Sequence, residues 1–89
     1  MRYTWDDTKR HKNLNKRGLD FAEAEKVFKG PTFTFEDNRI NYGEQRLVTV
    51  GLLGDRVTVI VHTETEDEIR IISMRKANKN ERHLFFTNL

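Results

Sequence analysis

Eighty-nine residues, 36% apolar and 34% charged, can bury one small core, so the chain is expected to form a single domain, residues 1–89, with a single site. The absence of cysteine excludes a disulfide scaffold, a thiolate nucleophile and a thiolate metal site, and fits a reducing compartment, with the cytoplasm as the expected location. The net charge of +2 hides a segregation: residues 1–17 carry six Lys/Arg against two acids, residues 70–83 five against one, and residues 18–69 five against eleven.

Met1, Tyr3 and Trp5 alternate with Arg2 and Thr4, which predicts a short strand with one buried face. Asp6 is placed as an N-cap for a polar helix over Asp7–Arg17, closed by Gly18. Asp20 restarts the pattern as a second cap, with Glu23 three residues on as its capping-box partner. Phe21, Ala24, Val27 and Phe28 follow at helical spacing as core residues, and Gly30-Pro31 ends that helix. A strand over Thr32–Phe35 leads into a polar, turn-like stretch from Glu36 to Gln45. Arg46–Leu52 and Arg56–Thr63 are β-branched runs joined by Leu53-Gly54-Asp55 as a tight hairpin. Thr65-Glu66-Asp67 then turns into a strand over Ile69–Lys76, and Ala77–Phe86 closes as a helix whose apolar contacts are Leu84, Phe85 and Phe86. The run Val57-Thr58-Val59-Ile60-Val61 suits a central strand buried on both faces. It is far too short to span a bilayer, and the charged N-terminus lacks a signal-peptide core, so neither export nor membrane insertion is expected. The fold class is α+β: a small, mostly antiparallel sheet with two N-terminal helices and one C-terminal helix, the helices gathered on one face and a groove on the other.

Arg70-Ile71-Ile72-Ser73-Met74-Arg75-Lys76-Ala77 delivers two adjacent cations to the end of a strand, just before Glu81 and Arg82. Cations on a rigid element are positioned more sharply than on a loop, and placed positive charge is what phosphoryl chemistry needs. RNA is the substrate this suggests, because its own 2'-hydroxyl can attack the neighbouring phosphate once that proton is removed and the phosphorane is neutralised. Arg75, Lys76 and Arg82 are the candidate phosphate stabilisers, and His62 or Glu81 the candidate proton carriers. Lys9, Lys12, Lys16, Arg70 and Lys79 are candidate RNA-binding residues. Adjacent strand residues point to opposite faces, so Arg75 and Lys76 enter one groove only if the strand ends or bulges between them. A strand histidine such as His62 is more often a hydrogen-bonded core residue, and a helix glutamate such as Glu81 near Arg75 or Arg82 more often an ion-pair partner. His11, His62 and His83 are too dispersed for a metal motif, and no Gly-Lys-Ser/Thr follows Gly51 or Gly54, so neither a metal nor a nucleotide cofactor is expected. Asp6 with Glu44 or Asp37 as a carboxylate pair is explained first by capping and turns.

Trp5-Asp6, Lys9, Asn13 and Lys16-Arg17-Gly18-Leu19-Asp20-Phe21-Ala22, then Tyr42-Gly43-Glu44-Gln45-Arg46, the hairpin, the Arg70–Ala77 run and Glu81-Arg82 resemble, in order and spacing over almost the whole chain, the BrnT-type toxins of bacterial type II toxin–antitoxin systems. A histidine commonly stands in that family where Arg17 is here, and a tyrosine often ends its last helix where this chain has Phe85 and Phe86. The resemblance implies a RelE-like ribonuclease fold, metal-independent RNA cleavage, growth arrest, and neutralisation by a BrnA-like antitoxin in a hetero-oligomer. It carries the family's basic positions onto Arg75, Lys76 and Arg82. A non-catalytic module using the same basic groove to bind RNA or protein is the alternative, and only turnover separates the two.

Overall fold

The structure, a computed structural model, describes residues 1–39 and 43–89; Ile40, Asn41 and Tyr42, in the expected polar loop and the Tyr42–Arg46 motif, lie outside the described residues. The elements are β1 (Arg2–Thr4), α1 (Asp7–Arg17), a 3-10 turn (Phe21–Glu23), α2 (Ala24–Lys29), β2 (Thr32–Asp37), β3 (Arg46–Leu53), β4 (Arg56–Glu64), β5 (Glu68–Lys76) and α3 (Lys79–Thr87). Among the described residues no helix is long and apolar enough to cross a membrane.

Local chemistry sets most of these boundaries. The Asp6 carboxylate accepts from Lys9 N at 3.0 Å and opens α1, and Gly18, in the left-handed region at φ 71°, closes it by donating to Leu14 O. The helix expected from Asp20 is instead a 3-10 turn followed by a six-residue helix. Arg10 holds the Asp20 carboxylate from the side at 2.7 and 3.0 Å, and that carboxylate caps Ala22 N, while Glu23 pairs with Lys26 rather than completing a capping box. The same arginine lowers the Asp20 carboxyl to about 2. β2 runs two residues further than its apolar pattern, because Glu36 and Asp37 still pair with Leu47 and Arg46 on β3.

The strand order is β1-β5-β4-β3-β2, and the sheet is mixed rather than mostly antiparallel as expected: β1 lies parallel to β5, Tyr3 opposite Ile69. Three alternating residues say which face is buried but not which way a strand runs. The direction matters for everything that follows. β1 ends opposite Arg70, so the rest of the β5 edge is left to α1, where Asn13 Oδ1 accepts from Met74 N at 3.2 Å. The basic N-terminal helix is thereby laid along the strand that carries Arg75.

β4 is buried on both faces, as its sequence predicts, and the two faces are both covered. Ile60 packs with Leu19, Phe21, Ala24, Val27, Ile69, Ile71 and Met74 beneath the N-terminal helices. Val57 and Val59 pack on the other side with Val48, Val50, Ala77 and Phe85 of α3. The expectation of all helices on one face is corrected: a sheet apolar on both sides needs a cover on each, and α3 supplies the second. Of Leu84, Phe85 and Phe86 only Phe85 is buried, since consecutive helical residues cannot share one face. Gly51 allows α2 to approach β3 closely; a methyl group there would fall 2.7 Å from Val27 Cγ1.

Candidate functional site

A register shift in β5 leaves Ile72 without a partner between Ile71, opposite His62, and Ser73, opposite Val61. Such a bulge re-aims the strand beyond it. Arg75, opposite Val59, then extends over the α3 face of the sheet. Its two terminal guanidinium nitrogens donate to the two Glu81 carboxylate oxygens, each at 2.7 Å. Glu81 is itself fixed by a capping box: its carboxylate accepts from Asn78 N at 2.9 Å, and its own N–H donates to the Asn78 side chain at 2.8 Å. The Arg75 hydrogen bonds hold the Glu81 carboxyl below its usual range despite opposing burial, so Glu81 is a fixed anion at neutral pH. Among the described residues Arg75 Nε has no protein partner, which leaves a donor edge for an anion.

This pair lines a cleft of about 480 Å³ with Arg17, Phe35, Asp37, Arg39 and Ser73. Asp37, almost fully buried, accepts from Arg39 Nε and Nη2 at 3.0 and 3.1 Å, which holds its carboxyl low. Two arginine–carboxylate pairs thus share the cleft, and the charge of Arg39 is felt by both Arg75 and Glu81. Arg17, Ser73 and Arg75 also line an adjoining cavity of about 330 Å³, whose other wall is the Lys9, Lys12 and Lys16 stripe of α1. The two spaces form a path over Arg75: the α1 side is lined by Lys9, Lys12, Lys16 and Arg17 with no acid among the described residues, while on the β2 side Arg17, Arg39 and Arg75 stand against Glu36, Asp37 and Glu81. The charge suited to a polyanion therefore lies along α1 and at Arg75.

The expected site residues are therefore divided by the structure. Arg75 and Glu81 stand together in the cleft, with Lys9, Lys12 and Lys16 beside it. Lys76 and Arg82 line a separate cavity of about 380 Å³ with Arg56 and Phe86, and Arg82 reaches back to donate to Ala77 O at 2.9 Å rather than over the strand. Arg70 is exposed on the far side of the bulge, and Lys79 is exposed in the first turn of α3; neither lines the cleft. Arg39 and Ser73 were not singled out by the sequence, and Arg17 only as a departure from a family pattern. Lys9, Lys12 and Lys16 at helical spacing were the one readable signal of this wall.

His62 lies on the opposite face, fully buried beneath α2. Its Nε2 shares a 2.7 Å hydrogen bond with Thr49 Oγ1, its ring meets Phe28 edge-on, and Nδ1 is 3.5 Å from Glu64 Oε1. Burial lowers its pKa to about 4, so the folded chain holds it neutral. The unfolded chain binds that proton near 6.5, so this stability is fully present above pH 6.5 and is lost as pH falls toward 4. The loss is on the order of 3 kcal/mol. Urea unfolding of the parent at pH 7.5, 5.5 and 4.5 is expected to show that decline, and His62→Gln to flatten it over the same window. An imidazole titrating near 6.5 in the folded chain, read by NMR, would contradict this.

Among the described residues no group of three or more His, Cys, Asp or Glu is arranged to hold a metal ion. A family model described as "Ribonuclease toxin, BrnT, of type II toxin-antitoxin system" matches residues 5–81. The chain is similar to the 1.1 Å crystal structure of the Brucella abortus ribonuclease toxin BrnT, with a TM-score of 0.71 and 27% identity over 89% of this chain and 99% of that one. Comparison with curated proteins gives no match. With the family model spanning the first turn of the fold through Glu81 of the cleft, the chain belongs to the BrnT family of ribonuclease toxins of type II toxin–antitoxin systems.

Proposed function

We propose that the chain, as one RelE-like domain, is a metal-independent endoribonuclease that cuts messenger RNA in the cytoplasm and arrests growth until a BrnA-like antitoxin binds it in a hetero-oligomer. The observation that carries the reading is Arg75 at the junction of two cavities, gripped by Glu81 and faced by the lysines of α1. In this reading the RNA backbone lies along the path and the scissile phosphate meets the open edge of Arg75. Charge building on the phosphorane is neutralised by Arg75, with Arg17 beside it. Glu81 orients Arg75, and the position on its Oε2 that Arg75 leaves open accepts the 2'-hydroxyl proton once the guanidinium turns its charge to the phosphorane, which releases the carboxylate from the pairing that holds its pKa low. In this reading solvent water in the cleft gives the leaving 5'-oxygen its proton, and the hydroxide so formed takes back the proton held by Glu81, which restores the site. His62 is assigned to the core, and Lys76 and Arg82 to a surface outside the reaction. Family membership supports an antitoxin partner in general; a partner that covers this path would need complementary negative charge.

Incubating the purified chain with a defined single-stranded RNA in EDTA tests the chemistry. Cleavage leaving a 2',3'-cyclic or 3'-phosphate end is the expected result. A 5'-phosphate end, or cutting that requires added metal, would overturn the mechanism, and salt-sensitive binding without cutting would favour the non-catalytic module.

A further inference from the structure

Phe35 is a large aromatic side chain left 40% exposed on β2, the edge strand of the sheet, where it lines the same cleft as Arg75 and Glu81. Its partner in the ladder is Val48, and Phe33, two residues back on the same face, lies opposite Val50. The two rings are 5.8 Å apart, tilted at 45°, so Phe33, which does not itself line the cleft, braces Phe35. β2 thus presents a ring that is held in place and left uncovered in the same cleft as the Arg75 guanidinium, where Arg17 and Arg39 also stand and Glu36, Asp37 and Glu81 balance their charge. An aromatic face next to positive charge is complementary to a nucleotide, which offers a π-face and a phosphate together, and much less so to an aliphatic or purely acidic ligand.

We propose that Phe35, braced by Phe33, is the base-stacking platform of the cleft: an unpaired nucleobase next to the phosphate held by Arg75 stacks on its ring. The inference rests on the reading of RNA as the substrate. Stacking needs the base to be splayed out, so the cleft selects single-stranded RNA over a duplex, whose bases are already stacked on one another. It accepts any base, and sequence preference comes from how well each base stacks and from polar residues that line the same cleft, such as Asn38.

The test compares the parent with Phe35→Ala and Phe35→Trp on a short single-stranded RNA and on the same RNA with one abasic position beside the cleaved bond. For Phe35→Ala, KM on the intact RNA is expected to rise about 10- to 100-fold with kcat close to the parent, for Phe35→Trp to recover most of it, and for all three chains to behave alike on the abasic RNA. An equal loss on intact and abasic RNA, or no change in KM, would overturn the platform. Should the parent not cut, quenching of a 2-aminopurine base placed in the same RNA reads stacking directly. Quenching by the parent and not by Phe35→Ala supports the platform without catalysis. RNA binding that ignores Phe35 removes the platform alone, and a parent that binds no RNA removes both readings.

Discussion

Arg75→Ala is expected to slow RNA cleavage about 100- to 1,000-fold, the usual cost of removing one donor aimed at developing negative charge, and to leave the chain folded. The side chain is 35% exposed and its partner Glu81 15% exposed, so the ion pair belongs to the wall of the cleft rather than to the core. Glu81 keeps its capping-box bonds to Asn78 when the arginine is gone, so no wholly unpaired buried charge remains and the stability loss should be about 1 kcal/mol. Arg75→Lys separates charge from geometry: it keeps the cation but loses the planar fork that grips Glu81 while leaving an edge for phosphate, and should recover only part of the rate. Single-turnover cleavage measured beside a thermal melt decides the matter. A folded Arg75→Ala chain cutting at the parent rate would move the phosphate site elsewhere, with the Lys76, Arg82 and Arg56 cavity as the first place to look.

Elements whose boundaries are fixed by neighbouring residues were legible. The Asp6 cap, Gly18 in its left-handed conformation, the Gly54-Asp55 turn and the doubly buried β4 all follow from patterns a few residues long. What failed needed knowledge of distant partners. The parallel direction of β1 depends on β5, more than sixty positions along the chain. The hold on the Asp20 carboxylate comes from Arg10, ten positions away, and the second face of the sheet was left without a cover because nothing local says that α3 crosses to it.

The site shows the same division. Arg75 stood out because it ends an apolar strand; Lys76 was grouped with it as a phosphate stabiliser although strand alternation already set the two on opposite faces, and the structure places Lys76 in a different cavity. His62 was ambiguous because its strand neighbours are aliphatic in either role; the Thr49 hydroxyl that bonds Nε2 and the Phe28 ring that covers it come from other elements, and Nδ1 is buried without a hydrogen-bond partner among the described residues. Asp37 and Arg39 sat in a stretch read as a polar turn, and only the ladder between β2 and β3 brings them across from Arg75. Phe35 carried a strand signal and nothing more, since exposure of an edge aromatic is a property of the assembled sheet.

The distance between fold and chemistry is shortest at Phe85. Phe85→Ala removes the one buried side chain of α3 and should cost about 3–5 kcal/mol, against roughly 5–15 kcal/mol for a whole native protein. At about 4–8 °C per kcal/mol for a chain of this size, the melting temperature should fall by tens of degrees. The remaining α3 contacts are weak enough that the helix should leave the sheet before the rest unfolds, opening the face over Val48, Val50, Val57 and Val59. Glu81 departs with it, so Arg75 loses its bidentate anchor while staying in place on β5. Hydrogen exchange is therefore expected to show α3 amides unprotected with β4 amides still protected, and cleavage reduced in that same state. Leu84→Ala, on the exposed side of the same helix, should change stability by less than about 0.5 kcal/mol and leave cleavage alone. Full activity in a Phe85→Ala chain whose α3 is demonstrably open would mean that Arg75 does its work without Glu81, and the proton acceptor would then have to come from the Asp37 side of the cleft.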